Sequence, residues 1–235
     1  MRLKQREFNC DAVLLAKKLL GKVIRHRYKG HWLAARIIET EAYYLHEKAS
    51  HASLGYTDKR RALFMPAGTI YMYYARGKDS LNISAQGEGN AVLIKSAVYY
   101  HDSLCDTDSL RIMQQLNPAS GGGLRPVEKL CSGQTLLCRA LGIRLDDWDQ
   151  QQFHQSNFYI DDIGYQPAAV IQTTRLGIPA GRDEDLLLRF IDEAEASYCT
   201  KNPLRQRQPN YRRIISGHIS DHTYGHIISA SDETL

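Results

Sequence analysis

No apolar run in this chain approaches the ~20 residues that cross a bilayer. Its first residues, MRLKQREFNC, hold no apolar segment of signal-peptide type. An intracellular protein without membrane attachment is therefore expected. Cysteine is sparse and unpatterned, with five residues (Cys10, Cys105, Cys131, Cys138, Cys199) and no CxxC spacing. That argues against a disulfide framework and for free thiols in a reducing compartment. Cys131 and Cys138 lie seven apart, but no second pair completes a zinc site, so no metal is expected. Phosphate-cradling loops are missing too. Gly121-Gly122-Gly123 lacks a GK[ST] ending and Gln86-Gly87-Glu88-Gly89 is a lone GxG, so no nucleotide cofactor is expected. The three consecutive glycines are expected to be poorly ordered.

Charge of one sign does not dominate either. Lys and Arg number 30 against 26 Asp and Glu, a formal net charge of +4. A mildly basic chain permits a nucleic-acid partner without requiring one, because a protein that meets DNA on one face needs only a local basic patch. Tyrosine is what the chain has in quantity: 14 residues, eight of them between Tyr43 and Tyr100. A tyrosine offers a flat apolar ring with a polar tip, suited to core packing or to stacking on a planar ligand. At 235 residues and 43% hydrophobic, the chain has ample material for one good-sized core.

Strand and helix patterns interleave without a βαβ rhythm, which predicts a single α+β domain. Asp11 caps a helix through Leu14, Leu19 and Leu20 that stops at Gly21. Lys22 to Tyr28 and His31 to Tyr43 read as strands joined by Lys29-Gly30, and a polar segment runs from Leu45 to Arg61. Ile70 to Ser84, IYMYYARGKDSLNIS, reads as a tyrosine-rich hairpin tipped by Arg76-Gly77-Lys78-Asp79. A strand follows from Ala91 to Val98. Helices are expected around Leu110, Met113 and Leu116, and over Leu136 to Leu141 before Gly142. Ala168 to Thr173 reads as a strand, and Asp183 to Ala196 has helical propensity. Residues 1–200 form the expected domain, and 201–235 a polar basic tail. His218, His222 and His226 in that tail sit four apart, but Gly217, Gly225 and the lack of core residues favour a solvated segment over a metal site.

Glu39 and Glu41 are two apart on one strand, so both side chains take the same face. They follow an apolar run and precede Tyr43, which sets at least one of them in a cleft. A carboxylate there can act as a general base on water. By composition alone Tyr43 and Tyr73 suit a core equally well, His51 a surface loop and Asn82 a strand end.

The joint pattern is more specific. RIIETEAY at 36–43, ASH at 49–51, FMPAGTIYMYY at 64–74, LNIS at 81–84, GEGNAVLIK at 87–95, LCSGQTLLCRALGI at 130–143 and TRLGI at 174–178 resemble, in order and spacing, the alkyladenine (3-methyladenine) DNA glycosylase family. The resemblance covers about residues 6–200. It implies a curved antiparallel or mixed sheet with flanking helices and a protruding DNA-binding hairpin. The partner it implies is double-stranded DNA carrying damaged purines, met by a monomer that needs no cofactor. The implied reaction is hydrolysis of the N-glycosidic bond after the base flips from the duplex, without a lysine nucleophile.

By the same resemblance Glu41 is the general base. A glutamate of ordinary pKa, ~4.3, is ionised at neutral pH and can deprotonate water aimed at the sugar C1′. Tyr43, His51 and Tyr73 match the rings that hold the flipped base, and Asn82 the residue that disfavours guanine. Arg76, Lys78 and Lys95 are the expected DNA contacts. Three positions depart from the family pattern. Arg76 replaces an aromatic wedge, Lys95 an arginine with a bidentate fork, and Leu136 a basic residue. The return strand of the hairpin is one residue short. In the family the stretch near Leu188-Arg189-Phe190 is a strand, against its local helical propensity. A non-catalytic nucleic-acid-binding relative is the alternative, and the presence of Glu41 favours the enzyme.

Overall fold

A computed structural model gives the fold and describes residues 1–75, 78–207, 210–215 and 227–229. Arg76, His218, His222 and His226, with the readings attached to them, lie outside the described residues. The first helix, α1 (Ala12–Leu19), begins where Asp11 accepts hydrogen bonds from the backbone of Val13 and Leu14 at 2.9 and 3.2 Å. Such a cap satisfies donors that the first helical turn leaves unpaired. Its inward face, Ala12, Leu15, Ala16 and Leu19, is fully buried.

The strands β1 (Val23–Tyr28) and β2 (His31–Tyr43) form a hairpin. Lys29 and Gly30 at its turn both have positive φ, 47° and 93°, the geometry that matches strand twist in a two-residue loop. β2 is the spine of the molecule. Along one edge it pairs with β5 (Ala91–Tyr99); along the other it pairs first with β1 and then, from Glu39 to Glu41, with β8 (Arg189–Asp192). β3 (Ile70–Ala75) and β4 (Lys78–Ser84) extend the sheet beyond β5, with Ala75 opposite Lys78 at the outer end of the hairpin. β6 (Phe158–Asp161) lies on β1, while β7 (Ala169–Thr173), β9 (Tyr211–Ile215) and β10 (Ile227–Ser229) continue past β8. Each of these pairings is antiparallel.

The helices α1, α2 (Ser109–Leu116) and α3 (Gln134–Leu141) pack on the sheet, and the main core lies between them and its strands. A short helix α4 (Leu145–Trp148) caps the β3 side. Gly142 ends α3 in the left-handed region at φ 66°, and a Cβ there would meet the Tyr28 ring at 2.7 Å. The fold is the α+β arrangement that the alternation of strands and helices predicts.

Two local questions are decided by pairing, the second in favour of the strand that the family resemblance implies. Gly121-Gly122-Gly123 sits in a turn closed by backbone bonds between Ala119 and Gly122 and between Ala119 and Gly123. Residues 183–196 are not a helix. β8 occupies Arg189–Asp192, fully buried, and only Glu193–Glu195 coils into a single helical turn. Propensity loses here to tertiary pairing. β8 fills the gap beside β2, and the Arg189 Nε donates to Glu39 Oε1 at 2.6 Å. Within the segment that the sequence sets apart as a tail, Tyr211–Ile215 runs along β7 as a sheet strand.

Glu39 and Arg189 are both buried, at 0% and 1% side-chain exposure. Ser96 and the backbone and hydroxyl of Thr200 also donate to Glu39 Oε2, and Arg189 Nη2 reaches the Lys201 carbonyl at 2.8 Å. Removing one partner of such a pair strands the other charge. Glu39→Ala and Arg189→Met are each expected to destabilise the fold by about 3–5 kcal/mol in urea unfolding, with much of the loss recovered in the Glu39→Gln/Arg189→Met double variant. Single-variant losses below about 1 kcal/mol would contradict this role.

Candidate functional site

The site grows from the β2 face opposite α1. Thr40, on the α1 side, donates its hydroxyl to the Ala16 carbonyl at 2.9 Å. Glu39, Glu41 and Tyr43 therefore point the other way. Their environments differ sharply. Four hydrogen bonds saturate Glu39, which leaves it no capacity for chemistry. Glu41 is equally buried, but its donors are fewer and gather at the edge of a cavity. The Tyr43 hydroxyl donates to Oε2 at 2.7 Å, Lys95 Nζ stands 3.4 Å from Oε1, and the Leu176 backbone N–H approaches Oε1 at 3.4 Å.

The ladder explains how Lys95 reaches Glu41. Ile37 pairs with Ala97, and that register continued would set Lys95 opposite Glu39. The register slips instead: Glu39 pairs with Ser96 and Thr40 with Ile94, which leaves Lys95 unpaired. A bulge of this kind redirects a side chain, and bulges gather beside active sites. On the other edge Arg189 lies opposite Glu41 in register yet sends its guanidinium diagonally to Glu39. Each glutamate thus takes a different cation.

Tyr43, Lys95 and Leu176 line a cavity of about 770 Å³. His51, Tyr71, Tyr73 and Asn82 line it as well, together with Gln134, Leu136, Arg182 and Thr200. This brings Glu41, Tyr43, His51, Tyr73, Asn82 and Lys95 to one place. Lys78 is exposed at the end of the hairpin, outside the cavity lining. The His51 and Tyr73 rings pack edge to face at 4.4 Å, and Tyr71 stacks on Tyr73 at 5.7 Å. Asn82 is buried and donates to the Tyr71 carbonyl at 3.2 Å, which fixes its amide.

Tyr43 titrates well above its ordinary range, first because burial disfavours its anion and then because the Glu41 charge lies beside it. It remains a donor to Glu41. Burial, with the charges of Arg60 and Arg182, lowers the His51 imidazole, which shares a 2.9 Å hydrogen bond with the Tyr71 hydroxyl. A cavity lined by rings, with the buried Glu41 carboxylate directly behind the lining residues Tyr43, Lys95 and Leu176, suits a planar heterocycle whose neighbouring bond is attacked by water.

With that geometry in view, sequence comparison decides the affiliation. The methylpurine-DNA glycosylase (MPG) family model matches residues 6–196. The chain belongs to the methylpurine-DNA glycosylase family. A protein of Pseudomonas savastanoi pv. phaseolicola named "Putative 3-methyladenine DNA glycosylase" is 60% identical over 208 residues, 88% of this chain and 93% of that protein. One of the same name from Pseudomonas aeruginosa strain PAO1 is 58% identical over 216 residues, 92% of this chain and 90% of that one. One from Clostridium botulinum is 33% identical over 207 residues, spanning 86% of this chain and all of its own length. The family supports a DNA glycosylase role in DNA repair, with DNA as substrate.

The cavity and its surroundings also include residues that sequence reading passed over. Tyr71 shares a strand face with Tyr73, two residues on, so alternation carried the signal. Leu176 and Arg175 belong to the TRLGI stretch, whose roles spacing alone does not reveal. Thr200 follows the matched region yet lines the cavity.

The lowered His51 value has a direct consequence. The folded protein favours neutral imidazole, so its contribution to stability is complete above the unfolded value and is lost as pH falls through the folded one. In an NMR titration the His51 ring should charge only below the ordinary value of 6.5. A midpoint at or above 6.5 would refute the proposed environment.

Proposed function

We propose that this chain excises alkylated or deaminated purines from double-stranded DNA as a monofunctional glycosylase, leaving an intact abasic site. The damaged base rotates out of the duplex and enters the cavity, where Tyr43, His51 and Tyr73 stack on it and Asn82 discriminates against the guanine 2-amino group. Stacking offsets the few kcal/mol of lost pairing. Lys78 and Arg76 meet the DNA at the hairpin, and Lys95 serves the flipped nucleotide from inside the cavity. Glu41 takes a proton from water as that water attacks C1′. Alkylation already weakens the glycosidic bond, so the protein needs a base, a positioned water and a pocket for the leaving purine.

One observation carries this reading: the buried Glu41 carboxylate is held by Tyr43, Lys95 and Leu176, and all three of these partners line a ring-rich cavity. The cavity volume of about 770 Å³ lies within the range of sites for small planar ligands. Glu41→Gln keeps the shape and removes the base. Single-turnover release of the purine from a duplex carrying one lesion is expected to fall by ~10²–10⁴, with DNA binding retained. Excision near the parental rate would remove Glu41 from the mechanism.

Lys95 makes the absence of strand cleavage a sharp test, because an amine stands in the cavity. Its Nζ is engaged with Glu41 at 3.4 Å rather than free to attack the sugar as a nucleophile. Borohydride added during turnover should trap no protein–DNA adduct. An adduct lost in Lys95→Ala would make the enzyme bifunctional and overturn the monofunctional reading.

A further inference from the structure

The Arg175-Leu176 dipeptide touches three consecutive residues of β2. The Leu176 N–H approaches Glu41 at 3.4 Å, Arg175 Nη1 donates to the Ala42 carbonyl at 3.0 Å, and the Arg175 guanidinium stands 4.5 Å from the centre of the Tyr43 ring. Glu47 ion-pairs with Arg175, and both side chains are buried, at 2% and 0% exposure. Arg175 Nε and Nη2 have no hydrogen-bond partner among the described residues, although both atoms are buried. A guanidinium beside an aromatic face gains a cation–π attraction there. Tyr43 lines the cavity and Arg175 does not, so the guanidinium covers the ring away from the cavity.

We infer that Arg175 is a positioning residue for base excision: it braces the Tyr43 ring from behind, and so sets both the stacking face offered to the purine and the aim of the Tyr43 hydroxyl at Glu41. This rests on the function proposed above. Three contacts locate Arg175 independently of the ring. Its backbone leads into Leu176, its Nη1 holds Ala42, and Glu47 balances its charge. Tyr43 is then fixed by Glu41 at its hydroxyl and by Arg175 on its face. A small misplacement of such a group is enough to slow a reaction that depends on alignment.

The test compares variants that avoid an unpaired buried charge. Arg175→Met combined with Glu47→Gln is expected to slow single-turnover excision by ~10–100-fold. The same pair of changes introduced into Tyr43→Leu should slow it no further, because the brace then has nothing to hold. Arg175→Lys keeps the charge for Glu47 but lacks the planar stack. It should therefore retain the parental unfolding midpoint while excision stays slowed. An equal rate loss in both Tyr43 backgrounds, or parental excision in Arg175→Lys, would reduce Arg175 to a structural ion pair and overturn the inference. Parental excision in the Arg175→Met/Glu47→Gln variant would overturn it too. Glu41→Gln, run in parallel, separates the two levels. If Glu41→Gln abolishes excision while the Arg175 variants do not slow it, the brace alone is wrong; if Glu41→Gln is also active, the proposed function falls first.

Discussion

The β2–β5 ladder is irregular on both sides of Glu39, between Ile37 and Glu39 and between Glu39 and Thr40, and around it the charges of β2 are shared out. In a regular ladder Lys95 would stand opposite Glu39. The slip sends Lys95 to Glu41, and the diagonal reach of Arg189 satisfies Glu39. Two identical side chains on one strand face thus acquire separate settings, one closing the sheet between β2 and β8, the other bound by residues that line the cavity.

Burial makes that division costly to disturb. A charge removed from water is tolerated only when paired and hydrogen-bonded. Around β2 this holds for Glu39 with Arg189, for Glu41 with Lys95 and for Glu47 with Arg175. The first pair is saturated by further donors, whereas in the second the carboxylate keeps fewer contacts and its cation, Lys95, lines the cavity. The third acts on β2 through a carbonyl and a ring. Of the three, only the second has its cation, Lys95, in the lining of the cavity.

Much of this is legible in the sequence where a local rule decides. Asp11 and Gly142 punctuate helices by backbone chemistry, Lys29-Gly30 forces a hairpin, and alternation sets Glu39, Glu41 and Tyr43 on one face. The ordered motifs draw His51, Tyr73, Asn82 and Lys95 into the cavity. Long-range pairing is what local rules miss. Residues 189–192 have helical propensity but are a strand, because β8 completes β2 and Arg189 finds Glu39 from 150 positions away. The choice between Glu39 and Glu41 follows from donors on β5, β8 and residues 176 and 200, none of them near in sequence. Tyr71 was within reach, since it alternates with Tyr73; Arg175 was not, since nothing in TRLGI says which ring it covers.

The central claim is spatial: a damaged purine sits against Tyr43, with its sugar turned toward Glu41. The most direct measurement is a high-resolution structure of the Glu41→Gln protein bound to a duplex with one methylated purine. The account predicts the base inside the cavity, stacked on Tyr43 and among His51 and Tyr73. It also predicts a water within ~3.2 Å of the side chain at position 41, facing C1′. A base that remains stacked in the duplex, or one that enters with its sugar turned away from position 41, would contradict it.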